Sequence, residues 1–304
     1  MIYYLVSKKH TYTVKRWIEY YPELLKGRLR ILPYPKCHGT VPEGTFIFSD
    51  VERLSPSGTR KASRLLERLH SAGCNTLNHP SHSLRRYDLQ KSLRNDFRVF
   101  IADEVPDDLR YPVFLRVEND HEGSQTDLLH DSESYRAARK KLPDSLVVEF
   151  LDTRSEDGYY RKYSSFRIGK RIIPRHVLFS RDWLVKKPDC IDDATIREEL
   201  EYLENSPHEA DLREIFDIAK IGFGRIDYSI HEGRIQTWEI NSNPMLSAPR
   251  NGQPSESYLK RIAVHEWGAR AINEALLELN VGQESRKVRL GISRTLRPES
   301  RFTI

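Results

Sequence analysis

Residues 222–246 read GFGRIDYSIHEGRIQTWEINSNPML, and the interpretation of this stretch decides the fold. Two strand-like runs flank His231-Glu232-Gly233, the spacing of a β-hairpin with one strand over 223–230 and its return over 234–241. Side chains alternate faces along a strand. Asp227 therefore shares a face with Arg225 and Ser229, and Glu239 shares one with Thr237 and Asn241. A three-residue loop predicts that Ile230 faces Arg234 and Asp227 faces Thr237, with Glu239 diagonal to Asp227. Tyr228, Trp238 and Ile240 then belong to the core side. Two carboxylates and an amide oxygen on one patch are hard oxygen donors. They suit Mg²⁺, which takes one or two carboxylates and shares its remaining positions with water and phosphate.

Composition frames this hairpin. The chain has 304 residues, 38% hydrophobic and 31% charged, enough to bury a core and too apolar for a disordered chain. No apolar run reaches the length of a membrane span. The N-terminal MIYYLVSKKHTY lacks a basic leader and a cleavage site, so it reads as a strand and not as a signal peptide. The odd set Cys37, Cys74 and Cys190 is scattered, unlike a disulfide framework or a zinc site, which points to a reducing cytoplasm. The net charge of +5 comes with both signs interspersed, favouring small anionic ligands over nucleic acid or membrane. A basic tail, residues 285–304, is the exception.

Outward from the hairpin, the first eighty residues alternate strand and helix: strands over 2–6, 45–48 and 75–77, helices over 12–25 and 57–72. That order argues for a small parallel α/β unit. No Gly-x-Gly-x-x-Gly follows a strand, so a dinucleotide site is not expected. Residues 27–44, with Pro33, Pro35 and Pro42, read mostly as loop. A helix capped by Ser83 follows, then strands over 97–102, 111–117 and 145–151 with a helix over 134–141. A cation-rich hairpin over 159–180 turns at Gly169-Lys170, and helices over 194–203 and 211–221 lead into the quoted stretch. A single amphipathic helix is expected over 255–279.

Asp227 followed by Trp238-Glu239-Ile240-Asn241-Ser242-Asn243-Pro244 resembles the metal-binding end of the ATP-grasp superfamily, which includes D-alanine–D-alanine ligase and glutathione synthetase. The resemblance covers roughly residues 1–280. It implies an α/β (α+β ATP-grasp) fold: an N-terminal parallel α/β pre-ATP-grasp domain, 1–80, then two α+β subdomains, 81–158 and 159–284, clamping a nucleotide. It also implies ATP and two Mg²⁺ ions, with Mn²⁺ as a substitute, the metal held by Asp227, Glu239 and Asn241. Where the superfamily has phosphate-binding lysines, this chain offers Arg86 (or Arg85) and Arg116, a departure that a planar guanidinium can accommodate. The acidic loop 118–124, with one glycine, departs further. The run 147–152 resembles the adenine hinge, with Glu149 and Leu151 at the base and Asp152 at the ribose. Lys162 and Arg175 stand where a basic residue reaches the γ-phosphate or an acyl phosphate, and Lys186 and Lys187 are placed to face the same cleft.

The activity so implied is an ATP-dependent carboxylate–amine ligase. A carboxylate attacks the γ-phosphate, and an amine or similar nucleophile displaces phosphate from the acyl phosphate. Such chemistry needs positioning and charge neutralisation more than a protein nucleophile, in keeping with the absence of a Ser-His-Asp or Cys-His arrangement at telling spacing. The alternatives are a small-molecule kinase on the same fold and a non-catalytic nucleotide-binding protein. The expected partners are a small-molecule carboxylate and a nucleophile or other acceptor. No nucleic acid or membrane is expected, and a homodimer is compatible with the sequence.

Overall fold

The computed structural model describes residues 1–34, 38–101, 104–119, 124–246, 254–280 and 285–291. The N-terminal unit is a parallel sheet of β1 (Ile2–Val6), β2 (Leu29–Pro33), β4 (Thr45–Phe48) and β5 (Asn75–Leu77), ordered β2-β1-β4-β5. Strand β1 is buried along its whole length, as an inner parallel strand must be. One sheet face, with Tyr3, Leu5, Phe46 and Phe48, packs on α3 (Pro56–Ser71) through Leu65 and Leu69. Ser55 caps α3 by accepting from the Gly58 amide at 3.2 Å, and Gly73 at φ +87 follows its end. The helix expected over 12–25 is two, α1 (Tyr12–Tyr20) and α2 (Pro22–Leu25), because Pro22 starts a new helix rather than continuing one.

The segment expected as loop carries β2 and β3 (His38–Pro42). Strand β3 finds its partner at the far end of the chain, pairing antiparallel with β13 (Lys287–Gly291). The start of the basic tail is thus part of a ribbon, with Val288 and Leu290 buried against the α3 side of the sheet. Its remaining arginines, Arg294, Arg297 and Arg301, lie outside the described residues, as do Cys37 and residues 120–123 of the acidic loop.

The central unit is a small antiparallel sheet, β6 (Val99–Phe100), β8 (Leu146–Glu149) and β7 (Val113–Arg116), with α5 (Ser132–Lys141) beside it. It is preceded by α4 (Arg86–Ser92). Ser83 does not cap that helix; its hydroxyl donates to the Lys220 carbonyl at 3.0 Å.

The C-terminal unit is an antiparallel sheet ordered β10-β9-β11-β12, from β9 (Tyr160–Ile168), β10 (Arg171–Ser180), β11 (Phe223–His231) and β12 (Arg234–Asn241). Its helices are α6 (Asp193–Asn205), α7 (Glu209–Ala219), α8 (Glu256–Lys260) and α9 (Ile262–Glu278). The one helix expected over 255–279 breaks at Arg261, which leaves helical geometry at φ −109, ψ 27 and buries its guanidinium on Glu199.

Helix α9 ties the two ends of the molecule together. Its Ile272, Ala275 and Leu276 share one core with Phe166 and Phe223 of the C-terminal sheet and with Ile2, Tyr4 and Trp17 of the N-terminal unit. Polar contacts reinforce this seam: Trp17 Nε1 donates to Asn273 Oδ1 at 2.8 Å, and Asn78 bonds the backbone of Gly222 and Phe223. The N-terminal unit is thereby fixed against the root of the hairpin. Among the described residues, no helix is long and apolar enough to cross a membrane.

Candidate active site

The hairpin differs from its expected register in two places. His231 pairs with Arg234, so the turn is the two-residue Glu232-Gly233, both at positive φ (48 and 75). That is the twist a tight hairpin prefers. Ile230 then opposes Ile235, not Arg234. A bulge next leaves Trp238 as the extra residue, with Tyr228 opposite Thr237 and Asp227 directly opposite Glu239 rather than diagonal to it. A bulge turns its extra side chain away from simple alternation. Trp238 consequently faces the cleft, away from the side of the sheet that holds Tyr228: it lines the cavity, stacks on Phe97 at 4.9 Å and donates Nε1 to Ser229 Oγ at 2.9 Å. Tyr228 and Ile240 do lie on the opposite, packed face.

Asp227, Glu239 and Asn241 line one cavity of about 430 Å³ between the subdomains, a size typical of small-molecule sites. The cavity has two unlike ends. Phe114, Phe150, Trp183 and Val185 make one end apolar, with Trp183 5.1 Å from Phe114 and 5.8 Å, edge-on, from Phe150. The other end collects charge. Glu239 Oε2 receives Arg116 Nη2 at 2.5 Å and also pairs with Arg86. Asp227 Oδ1 accepts from Ser164 at 2.9 Å and from Arg225 Nε at 3.0 Å, while Lys162 Nζ stands 3.9 Å from Oδ2. Burial holds the Lys162 amine below its usual range, and Asp227 beside it opposes that shift. Asn241 Oδ1 accepts from the Asn243 amide at 2.8 Å.

The other expected site residues are placed as follows. Arg86, the first residue of α4, is buried and also donates to the carbonyls of Val117 and Glu118; Arg85 instead reaches the Leu54 carbonyl at 3.4 Å. Leu151 and Lys186 line the cavity. Glu149 does not: its carboxylate is clasped by Arg98 and Arg110. Asp152 lies beside the cavity lining and pairs with Arg154 at 2.5 Å. Arg175 points away from the cavity, because it sits at an irregularity of β10 between Pro174 and His176. It is buried against α9, with Nη2 3.1 Å from His265 Nδ1 and a Cβ at Gly268 only 3.0 Å from Nη1. Burial lowers its pKa to about 10.

Sequence reasoning missed Arg53, Tyr12, Thr13 and Phe114 as cavity residues. The first three come from the N-terminal unit, and no local pattern marks them. Trp238 required knowledge of the bulge.

The three residues expected to hold Mg²⁺ offer oxygen donors of a fitting type, two carboxylates and one amide oxygen, in the lining of one cavity. The carboxylates are paired with four side-chain cations. A divalent ion arriving with phosphates fits this set if the cations move their bonds onto those phosphates.

No protein-family model matches the chain, and no curated protein matches it in sequence. Solved structures do. The VanG D-Ala:D-Ser ligase from Enterococcus faecalis aligns over 92% of this chain and 99% of its own, with 13% identity and a TM-score of 0.50. The D-alanine–D-alanine ligase from Helicobacter pylori covers 93% and 99% at 11% identity, TM-score 0.48. A RimK domain ATP-grasp protein from Sphaerobacter thermophilus covers 91% and 100% at 13%, TM-score 0.48. The chain has the ATP-grasp fold, as its hairpin motif led us to expect.

Proposed function

We propose that the protein is an ATP-dependent ligase that activates a carboxylate for attack by an amine or similar nucleophile. The observation that carries this reading is the polarity of this cavity: an aromatic end suited to a purine, and an end where Arg116, Lys162 and Arg225 converge, suited to a polyphosphate. The fold, shared with the Enterococcus faecalis D-Ala:D-Ser ligase, supports it. In this reading Phe150 and Trp183 hold the base, and the backbone at Leu151 and Thr153 lies beside it. Arg116, Lys162 and Arg225 neutralise the transferred phosphate. Asp227, 3.9 Å from Lys162 Nζ, opposes the lowering of its pKa by burial. Asp227, Glu239 and Asn241 would hold Mg²⁺, which when bound polarises the phosphate oxygens. Cations that shift from these carboxylates onto the phosphates would offset the charge that develops there.

The test is to incubate the protein with ATP, Mg²⁺, pooled carboxylic acids and pooled amines, and to follow products by mass spectrometry. The expected products are ADP, phosphate and an amide. A phosphorylated alcohol would instead make the protein a kinase, and the ligase reading would fail.

A further inference from the structure

The acceptor's chemistry is written in the far wall of the cavity, beyond Asn241. That wall comes from the N-terminal unit and includes Tyr12, Thr13 and Arg53. Arg53 is its one charged group, and it is held. Asp50, fully buried and in a left-handed conformation at φ 59, places Oδ1 3.3 Å from Arg53 Nη1 and Oδ2 2.7 Å from His10 Nδ1. That conformation is uncommon outside glycine and is tolerated best by Asp and Asn. The Arg53 Nε donates to the Asn119 carbonyl at 3.4 Å. Nη1 also lies 3.1 Å from His10 Nδ1, and among the described residues Nη2 has no partner, which leaves that nitrogen for a ligand. The Tyr4 hydroxyl, at 2.9 Å, and the Thr13 hydroxyl, at 2.7 Å, both donate to Asn243 Oδ1, which fixes that amide.

The same lining has two acids among the described residues, Asp227 and Glu239. Each is already engaged by two cations, Arg225 with Lys162 and Arg86 with Arg116. No lining carboxylate is left over for an ammonium group. A guanidinium N–H donates a charge-assisted bond to carboxylate or phosphate and repels a substrate ammonium.

We propose that the acceptor is a small acid with two anionic groups: the carboxylate to be activated, and a second carboxylate or phosphate bound by Arg53. Among the described residues, no carboxylate of the lining is left to pair with an α-ammonium. This rests on the ligase reading and adds the substrate class, with Arg53 as the residue that sets it.

The experiment is calorimetric titration of the protein, saturated with a non-hydrolysable ATP analogue and Mg²⁺. The probes are succinate, phosphoglycolate, acetate and alanine. Succinate or phosphoglycolate is expected to bind at least tenfold more tightly than acetate and alanine, and the better of the two identifies the second anion. Arg53→Met is expected to erase the preference, while Arg53→Lys, which keeps the charge without the fork, retains part of it. Alanine binding as tightly as succinate, a preference that survives in Arg53→Met, or no dianion binding by the analogue-loaded protein would each overturn the proposal. Failure of the analogue itself to bind would show in the first titration and would overturn the ligase reading as well.

Discussion

Glu149 and Glu239 make a natural pair. Both are buried, with 2% and 7% of their surface exposed, and each is gripped by two arginines. Their settings differ. Glu149 ends β8 and receives Arg98 and Arg110 from the segments flanking β6 and β7, so its clamp fastens the small central sheet to itself. The Arg110 amide adds a further bond at 2.9 Å. Glu239 faces the cavity, and its arginines come from α4 and β7, across the interface between subdomains. The same motif thus locks one subdomain in the first case and poises charge at a ligand site in the second. The lesson is that a doubly paired buried carboxylate does not identify its own role; what decides it is whether a cavity adjoins.

Substitutions should separate the two. The largest effect is expected from Glu239→Gln, which removes a metal donor while keeping an oxygen for the arginines. The Mg²⁺-dependent part of ATP-analogue affinity should fall on the order of 100-fold, about 2.7 kcal/mol, as read by titration with and without EDTA. Retention of the full Mg²⁺ effect would break the comparison. Glu149→Gln should do the reverse. Losing charge-assisted bonds to partly exposed arginines costs about 2 kcal/mol of stability, seen in chemical denaturation, while analogue affinity stays within threefold. A larger affinity loss would mean that Glu149 reaches the site after all.

The pH dependence of stability sharpens the contrast further. Burial acts to raise the Glu149 pKa, but the bonds from Arg98 and Arg110 outweigh it and hold the group below its ordinary value. A depressed carboxylate contributes stability above its unfolded pKa, about 4.3, and that contribution is lost as pH falls through the folded value. Glu149→Gln should therefore flatten the acid limb of the stability profile below about pH 4.3. A second effect, which begins at higher pH, comes from His265, held near pKa 3 by burial and by Arg175 and Arg261. Unfolding lets it take up a proton, so stability declines as pH drops from about 6.5 toward 3. His265→Gln should remove that part of the decline. An unchanged profile would mean that His265 is charged in the folded state.

Much of this was legible in the sequence. Asp227, Glu239 and Asn241 were found by two-residue alternation, which survives a register error because both errors still leave them in one cavity. Lys162, expected from the family resemblance to stand on this cation-rich strand near the phosphates, does line the cavity. Arg175, from the paired strand, was read the same way, but the irregularity beside it sends its side chain to α9. Trp238 was misplaced for the same kind of reason: strand irregularities leave no mark in alternation patterns. Strand β3 was hidden because its partner, β13, lies at the other end of the chain, and local propensity carries no information about such pairing. Arg53 was invisible because its significance depends on the N-terminal unit docking against the hairpin, a tertiary event.

The central claim is that one cavity holds a nucleotide with its base at the aromatic end and its phosphates at the cationic end. Calorimetric titration of a non-hydrolysable ATP analogue with Mg²⁺ tests it most directly when run on the parent, Trp183→Ala and Lys162→Met. The parent should bind, and each substitution should weaken binding by about tenfold or more, the worth of one stacking or charge-assisted contact. A parent that does not bind, or variants that both bind as the parent does, would contradict it.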